Sequence, residues 1–319
     1  MDYTLNVKGH LLDFAEPQVM GILNVTPDSF YADSRAATKQ AVAERVRQIM
    51  AEGGNIIDVG ACSTRPDSTP VSQEEETSRL RMALRIVRQE LPDAVVSVDT
   101  FRPDVACMAV EEFGADIVND ISGGSPAMYR MVSRLRVPYI LTSQQPTMRD
   151  ILIDFAERVQ QLRDLGQQDI ILDPGFGFGK TVGQNYEVLS QLEQLQVLAL
   201  PVLVGVSRKS MIYKVLGVTP DEALNGTTVL NTVALSKGAS VLRAHDVREA
   251  VECVQLSNRL IVSSSEYALR HRPERCHRHP VGSADALLHL PTDARLTFAE
   301  CVYRHLGVCG GMGFRLAGA

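Results

Sequence analysis

Several short apolar runs in this chain end in side chains able to do chemistry. "PVLVGVSRKS" ends in Ser207, Arg208, Lys209 and Ser210, and "SVLRAHDV" carries Arg243 and His245 two residues apart. On a strand, residues two apart point the same way, so Arg243 and His245 share a face. Such a pair suits an anion, and a phosphate above all, because the guanidinium presents a planar fork of donors. Arg208 and Lys209 precede the apparent helix "MIYKVLG". A helix N-terminus is already positive, so two cations there imply either a nearby anion or side chains turned to solvent. Asn24, closing "VMGILN", completes the basic group if the first and last strands are neighbours. Its amide oxygen suits Mg²⁺, which keeps several waters and shares phosphate oxygens; a plain cap or turn residue is the simpler alternative.

A second group is acidic or amide. Asp99 ends "AVVSVD", Asn119 and Asp120 end "IVND", and Asp173 ends "IILD". A carboxylate accepts two parallel N–H bonds from a guanidine-like heterocycle edge, and an amide donates and accepts beside it. Asp99 has a competing role, since "DTFRP" reads as a capped helix start. Asp58, in "NIIDVGACSTRP", reads as a structural hydrogen-bond hub. "GFGFGK" lacks the spacing and the Lys-Ser/Thr end of a phosphate loop. Its Phe178 either offers a ring face to an aromatic ligand or packs.

The elements that must bring these residues together are eight apolar runs, at 19–25, 55–60, 94–100, 117–121, 138–143, 170–174, 201–207 and 240–246. They are nearly continuous in Val, Ile and Leu, as expected of strands covered on both faces. Amphipathic stretches alternate with them. "TKQAVAERVRQIMAEGG" ends on the stop Gly53-Gly54, and "SQEEETSRLRMALRIVRQEL" opens acidic, which suits a helix N-terminus. Strand and helix alternating eight times predict a (β/α)8 TIM barrel, whose strand C-terminal ends open on one face. The first 18 residues predict a short hairpin plugging the barrel bottom, and a helix at about 247–261 closes it.

Apolar residues make up 45% of the 319 and charged residues 22%, ordinary for a globular enzyme. The net charge of −6 gives no general attraction to nucleic acid, so any anion site is local. No apolar run reaches membrane-spanning length and no signal peptide is read at the start. Six cysteines without close pairing predict reduced thiols and a cytoplasmic location. The division predicted is a barrel over 1–262 and a weakly ordered C-terminal extension over 263–319. That extension holds five of the seven His. A metal site from Cys276, His277, His279, Cys301 and Cys309 is its sharper alternative, although Cys-x2-Cys pairs are absent.

Seven ordered blocks carry a resemblance: "MGILNVTPDSF", "IIDVGACSTRP", "VSVDTFRPDVA", "GADIVNDISGG", "ILDPGFGFGK", "GVSRKS" and "GASVLRAHDV". From about Leu5 to about Ile261 the chain resembles the dihydropteroate synthases, pterin-binding transferases of folate biosynthesis. The resemblance implies a TIM barrel, usually a homodimer. It implies condensation of 7,8-dihydropterin pyrophosphate with 4-aminobenzoate, giving 7,8-dihydropteroate and pyrophosphate, with sulfonamides imitating the aminobenzoate. It assigns the pterin to Asp99, Asn119, Asp173 and Lys209. It assigns pyrophosphate to Asn24, Arg243 and His245, with Mg²⁺ through Asn24. It assigns 4-aminobenzoate to Thr64, Pro66, Phe178, Lys209 and Ser210, and places Asp28, Ser29 and Arg65 on two closing loops. The catalytic set it implies is Asp99, Asp173, Lys209, Asp28 and Arg65.

The chain departs from that pattern in three places. Where relatives carry His-Met-x-Gly after the fifth strand, lining the pterin pocket, it has Thr142–Gln145 within "ILTSQQPTM". The stretch after Gly124 is short, and nothing in the pattern matches the chain after Ile261. Two other readings stand beside the synthase: a non-catalytic pterin-binding paralogue, and a methyltetrahydrofolate methyltransferase, which needs no pyrophosphate patch.

Overall fold

The computed structural model describes residues 3–7, 10–26, 35–62 and 71–270. The eight expected strands are all present, as β3 (Gln18–Asn24), β4 (Ile56–Gly60), β5 (Val95–Asp99), β6 (Ile117–Asp120), β7 (Tyr139–Thr142), β8 (Ile170–Asp173), β9 (Leu203–Val204) and β10 (Val241–Ala244). They are parallel, in the order β8-β7-β6-β5-β4-β3-β10-β9. The ring closes through a parallel bridge between Leu172 and Val202, with the Leu172 amide donating to the Pro201 carbonyl at 2.9 Å. Pro201 has no N–H to return to a ladder, and β9 is correspondingly shorter than the 201–207 expected.

The helices start where the sequence supplies caps. Ser72 accepts from the Glu75 amide at the head of α2 (Gln73–Glu90), whose first turn holds three glutamates. Thr181 and Gln184 form a reciprocal capping box on α6 (Val182–Ser190). α3 (Pro103–Phe113) has Pro103 in its first turn and Arg102 as N-cap. Asp99 is therefore not the cap that "DTFRP" suggested. Thr100 takes the local role instead, accepting from the Arg102 amide at 3.2 Å.

The hairpin is β1 (Thr4–Val7) and β2 (His10–Asp13), antiparallel with Leu5 opposite Leu12. It does plug the barrel. Leu5 and Phe14 pack against Met20, Ile56, Ile117, Ile140, Ile171, Leu203 and Val241, the inward residues near the N-terminal strand ends. A larger apolar cluster fills the space between strands and helices. The last helix, α9 (Val247–Arg270), runs past the expected end near 261, so the boundary expected at 262/263 falls inside a helix. No Gly or Pro interrupts the chain there before Pro273. Residues 271–319, including Cys276, His277, His279, Cys301 and Cys309, lie outside the described residues. Among the described residues no helix is long and apolar enough to cross a membrane.

Candidate functional site

Two residues up from the apolar floor, the inward side chains of six of the eight strands change character. Ile56 is followed by Asp58, Val95 by Ser97, Ile117 by Asn119, Ile140 by Thr142, Ile171 by Asp173 and Val241 by Arg243. Asp58, Ser97, Asn119, Thr142 and Asp173 are all buried. A further two residues up lie Asn24, Gly60, Asp99 and His245. The parity of the strand makes this layering, and the parallel register places the layers side by side.

Arg243 joins the two groups that the sequence kept apart. Its Nε donates to Asp58 Oδ2 at 2.6 Å and its Nη2 to Asp99 Oδ2 at 2.7 Å. Asn119 Nδ2 donates to the same Asp58 oxygen at 3.2 Å. Asp58 is thus the hub expected of it. Burial raises the Asp99 carboxyl, opposed by the Arg243 charge. Arg243 is itself held firmly protonated by its two carboxylates.

Asp173 takes the Gly175 amide at 2.8 Å. Burial raises its carboxyl too, and Lys209 is the largest opposing influence. Lys209 reaches inward, donating to the Phe176 carbonyl at 2.5 Å, with its ammonium 4.8 Å from the Phe178 ring centroid. Burial lowers its pKa from 10.5 to about 8, so the lysine is a cation near neutrality with little to spare. The glycines of "GFGFGK" make this approach possible. Gly177 has φ +83°, and a Cβ there would lie 3.2 Å from the Lys209 side chain.

Arg208 neither faces solvent nor binds in the mouth. It pairs bidentately with Asp246, at 2.9 and 2.8 Å, and donates to the Pro220 and Asp221 carbonyls. These contacts hold its backbone at φ +53°, a left-handed conformation costing roughly 1–2 kcal/mol for a residue with a Cβ. The resulting turn sets Lys209 at the N-cap of α7 (Ser210–Leu216), with its side chain directed back into the barrel. Ser210 is the first residue of that helix.

Asn24 and Asp99 flank Gly60. A Cβ on residue 60 would lie 3.3 Å from the Asn24 amide oxygen and 3.5 Å from Asp99 Oδ2. A side chain there would crowd both. β3 and β10 are neighbours, as the grouping of Asn24 with Arg243 and His245 required. The His245 ring nitrogen Nδ1 lies 3.0 Å from Ser207 Oγ, which also accepts the His245 amide at 3.1 Å. One side of His245 is open to solvent. Partial desolvation, then the charge of Arg243, lowers its pKa to about 4, so the imidazole is neutral at pH 7. Arg45 of α1 (Arg35–Ala51), absent from the sequence reading, donates to the His245 carbonyl at 2.5 Å.

The structure therefore brings together Asn24, Asp99, Asn119, Asp173, Lys209, Arg243 and His245, with Phe178 and Ser210 at their edge. Asp28, Thr64, Arg65 and Pro66 lie outside the described residues. Sequence reasoning overlooked Ser97 as an inward group, although it stands two before Asp99 and shares its face. Among the described residues, Asp58 Oδ1, Ser97 Oγ, Asn119 Oδ1 and Thr142 Oγ1 are buried without a hydrogen-bond partner. Buried polar atoms are rarely left so, and four of the six among the described residues lie in one barrel lumen.

Comparison with known proteins agrees with this geometry. The pterin binding enzyme family matches residues 20–245. The dihydropteroate synthase of Escherichia coli K12 is 36% identical over 271 residues, covering 79% of this chain and 94% of the relative. The solved Xanthomonas albilineans dihydropteroate synthase with 4-aminobenzoic acid is 31% identical, with a TM-score of 0.75, covering 86% of this chain and 100% of the other. That of Yersinia pestis with a sulfonamide drug is 33% identical, with a TM-score of 0.74, covering 82% and 100%. The chain belongs to the pterin binding enzyme family, among its dihydropteroate synthases.

Proposed function

We propose that the barrel mouth joins 7,8-dihydropterin pyrophosphate to 4-aminobenzoate, with Asp99, Asn119, Asp173 and Lys209 holding the pterin. The observation that carries this is the lumen itself. Buried carboxylates and unpartnered amide and hydroxyl atoms line the lumen, Arg243 stands in the same layer bonded to Asp58 and Asp99, and His245 lies two residues above it on the same strand. A heterocycle with a guanidine-like edge satisfies the deep groups, and its pyrophosphate then reaches the basic strand.

Asn24, Arg243 and His245 are the pyrophosphate groups in this reading. If Ser207 donates its hydroxyl proton to Nδ1, the neutral imidazole keeps an Nε2–H donor for a phosphate oxygen. Arg243 is engaged with Asp58 and Asp99, so bound pterin must compete for Asp99 while the phosphates draw the guanidinium outward. Gly60 leaves room beside the Asn24 amide oxygen, and Mg²⁺ needs only one or two protein oxygens when phosphate supplies the rest. Bound there through Asn24, Mg²⁺ would neutralise phosphate charge.

The pterin–oxygen bond breaks as pyrophosphate leaves, and Arg243 and His245 stabilise the charge that develops on it. Asp99 and Asp173 face the complementary positive charge spread over the pterin. Lys209 stands between the two half-sites, with Phe178 and Ser210 on the aminobenzoate side together with Thr64 and Pro66. The aromatic amine is uncharged at pH 7, so its nitrogen attacks as the free amine, and the N–H proton it loses as the C–N bond forms passes to the departing pyrophosphate or to solvent. In this reading Asp28 and Arg65, which the resemblance assigns to closing loops, help keep water from the cation. The same proposal includes a homodimer, cytoplasmic location and sulfonamides as competitors of aminobenzoate. The test is an assay of purified protein with both substrates and Mg²⁺. Stoichiometric dihydropteroate and pyrophosphate are expected; pterin binding without product would favour the non-catalytic paralogue.

A further inference from the structure

Thr142 lies in the segment that departs from the family pattern, and the mechanism above makes no use of it. It is the last residue of β7, fully buried, and in register with Asp173 of β8. Ile140, two residues earlier, belongs to the barrel floor, so Thr142 shares its inward face. The methyl is placed: Cγ2 would lie 3.1 Å from a Cβ on Gly175. The hydroxyl is not, since Oγ1 has no partner among the described residues. A buried hydroxyl without a partner is destabilising, and a valine of the same shape would avoid that penalty.

We propose that Thr142 is a specificity-determining residue for the pterin substrate, its hydroxyl hydrogen-bonding the polar ring atom next to the edge gripped by Asp173. This rests on the pterin assignment above. A hydroxyl both donates and accepts, so it complements the alternating donors and acceptors of a pterin edge. Thr142 stands in the stretch that replaces the family's His-Met-x-Gly segment, so the contact belongs to this chain's own sequence.

Calorimetry with 7,8-dihydropterin pyrophosphate, alongside steady-state kinetics, tests it in the full-length protein. Thr142→Val should weaken binding and raise KM for the pterin substrate about tenfold, the scale of one buried hydrogen bond. KM for 4-aminobenzoate and kcat should hold, the melting temperature should not fall, and Thr142→Ser should bind like the unaltered protein. Unchanged pterin affinity in Thr142→Val would overturn the inference, as would equal rises in both KM values that serine does not restore. An unaltered protein that binds the pterin without turnover still lets the affinity ratio decide Thr142. One that binds no pterin overturns this inference together with the assignment beneath it.

Discussion

The floor and the mouth of this barrel are built by the same eight strands, two residues apart, and follow opposite rules. At the floor every inward side chain is apolar, and the hairpin adds Leu5 and Phe14 to seal it. Two residues higher, five of the inward side chains are buried polar or acidic groups, four of them with an atom left unpartnered. A fold gains nothing from buried atoms without hydrogen bonds, so the mouth gives up stability that the floor supplies.

Arg243→Ala should have the largest effect, because it breaks the contrast at its hinge. It leaves Asp58 and Asp99 buried without their cation, a loss of roughly 3–5 kcal/mol, and removes the proposed pyrophosphate donor. Both melting temperature and turnover should collapse. An Arg243→Ala protein of ordinary stability would show that the ion pairs carry little.

Ile171→Ala sharpens the contrast from below. It should cost about 2–5 kcal/mol of stability, as buried large-to-small changes do, while activity per folded molecule stays near normal. Asp173, two residues above on the same strand, should behave in the opposite way. Asp173→Asn and Asp99→Asn should each raise the barrier by roughly 2–4 kcal/mol, the scale of one lost electrostatic contact, with little change in melting temperature. If either asparagine variant kept its turnover, the pterin assignment would be wrong.

A smaller effect lies in the pH profile. Lys209 is lowered to about 8 and acts as a cation, the form present below that pH. As pH rises through about 8 the charge is lost, so kcat/KM should fall there rather than near 10.5. Lys180 is also lowered to about 8, but it is tied to the Ser143, Gly175 and Phe178 carbonyls. Lys209→Arg should abolish the limb and Lys180→Arg should leave it; the reverse would reassign the titrating group.

Much of the mouth was legible because strand parity and chain order are sequence properties. The ends of "AVVSVD", "IVND" and "IILD" placed Asp99, Asn119 and Asp173 on one face without a structure. What the sequence could not show was pairing across the lumen. Arg243 and Asp58 are 185 residues apart, and only barrel closure brings them to 2.6 Å. Local readings failed where a tertiary partner decided the matter. The cap offered to Asp99 as a competing role falls away because Asp99 pairs with Arg243, and Arg208, left open between an anion and solvent, is fixed by Asp246. The helix expected to end near 261 runs on to Arg270, where no Gly or Pro stands to stop it.

The most direct test sets the two layers against each other in one assay. Dihydropteroate formation per folded molecule is measured for the unaltered protein, Asp173→Asn and Ile171→Ala. Product from the unaltered protein and from Ile171→Ala, with a loss of at least about tenfold in Asp173→Asn, is the result expected of a synthase working in the mouth. Equal turnover in all three, or none from the unaltered protein, would contradict it.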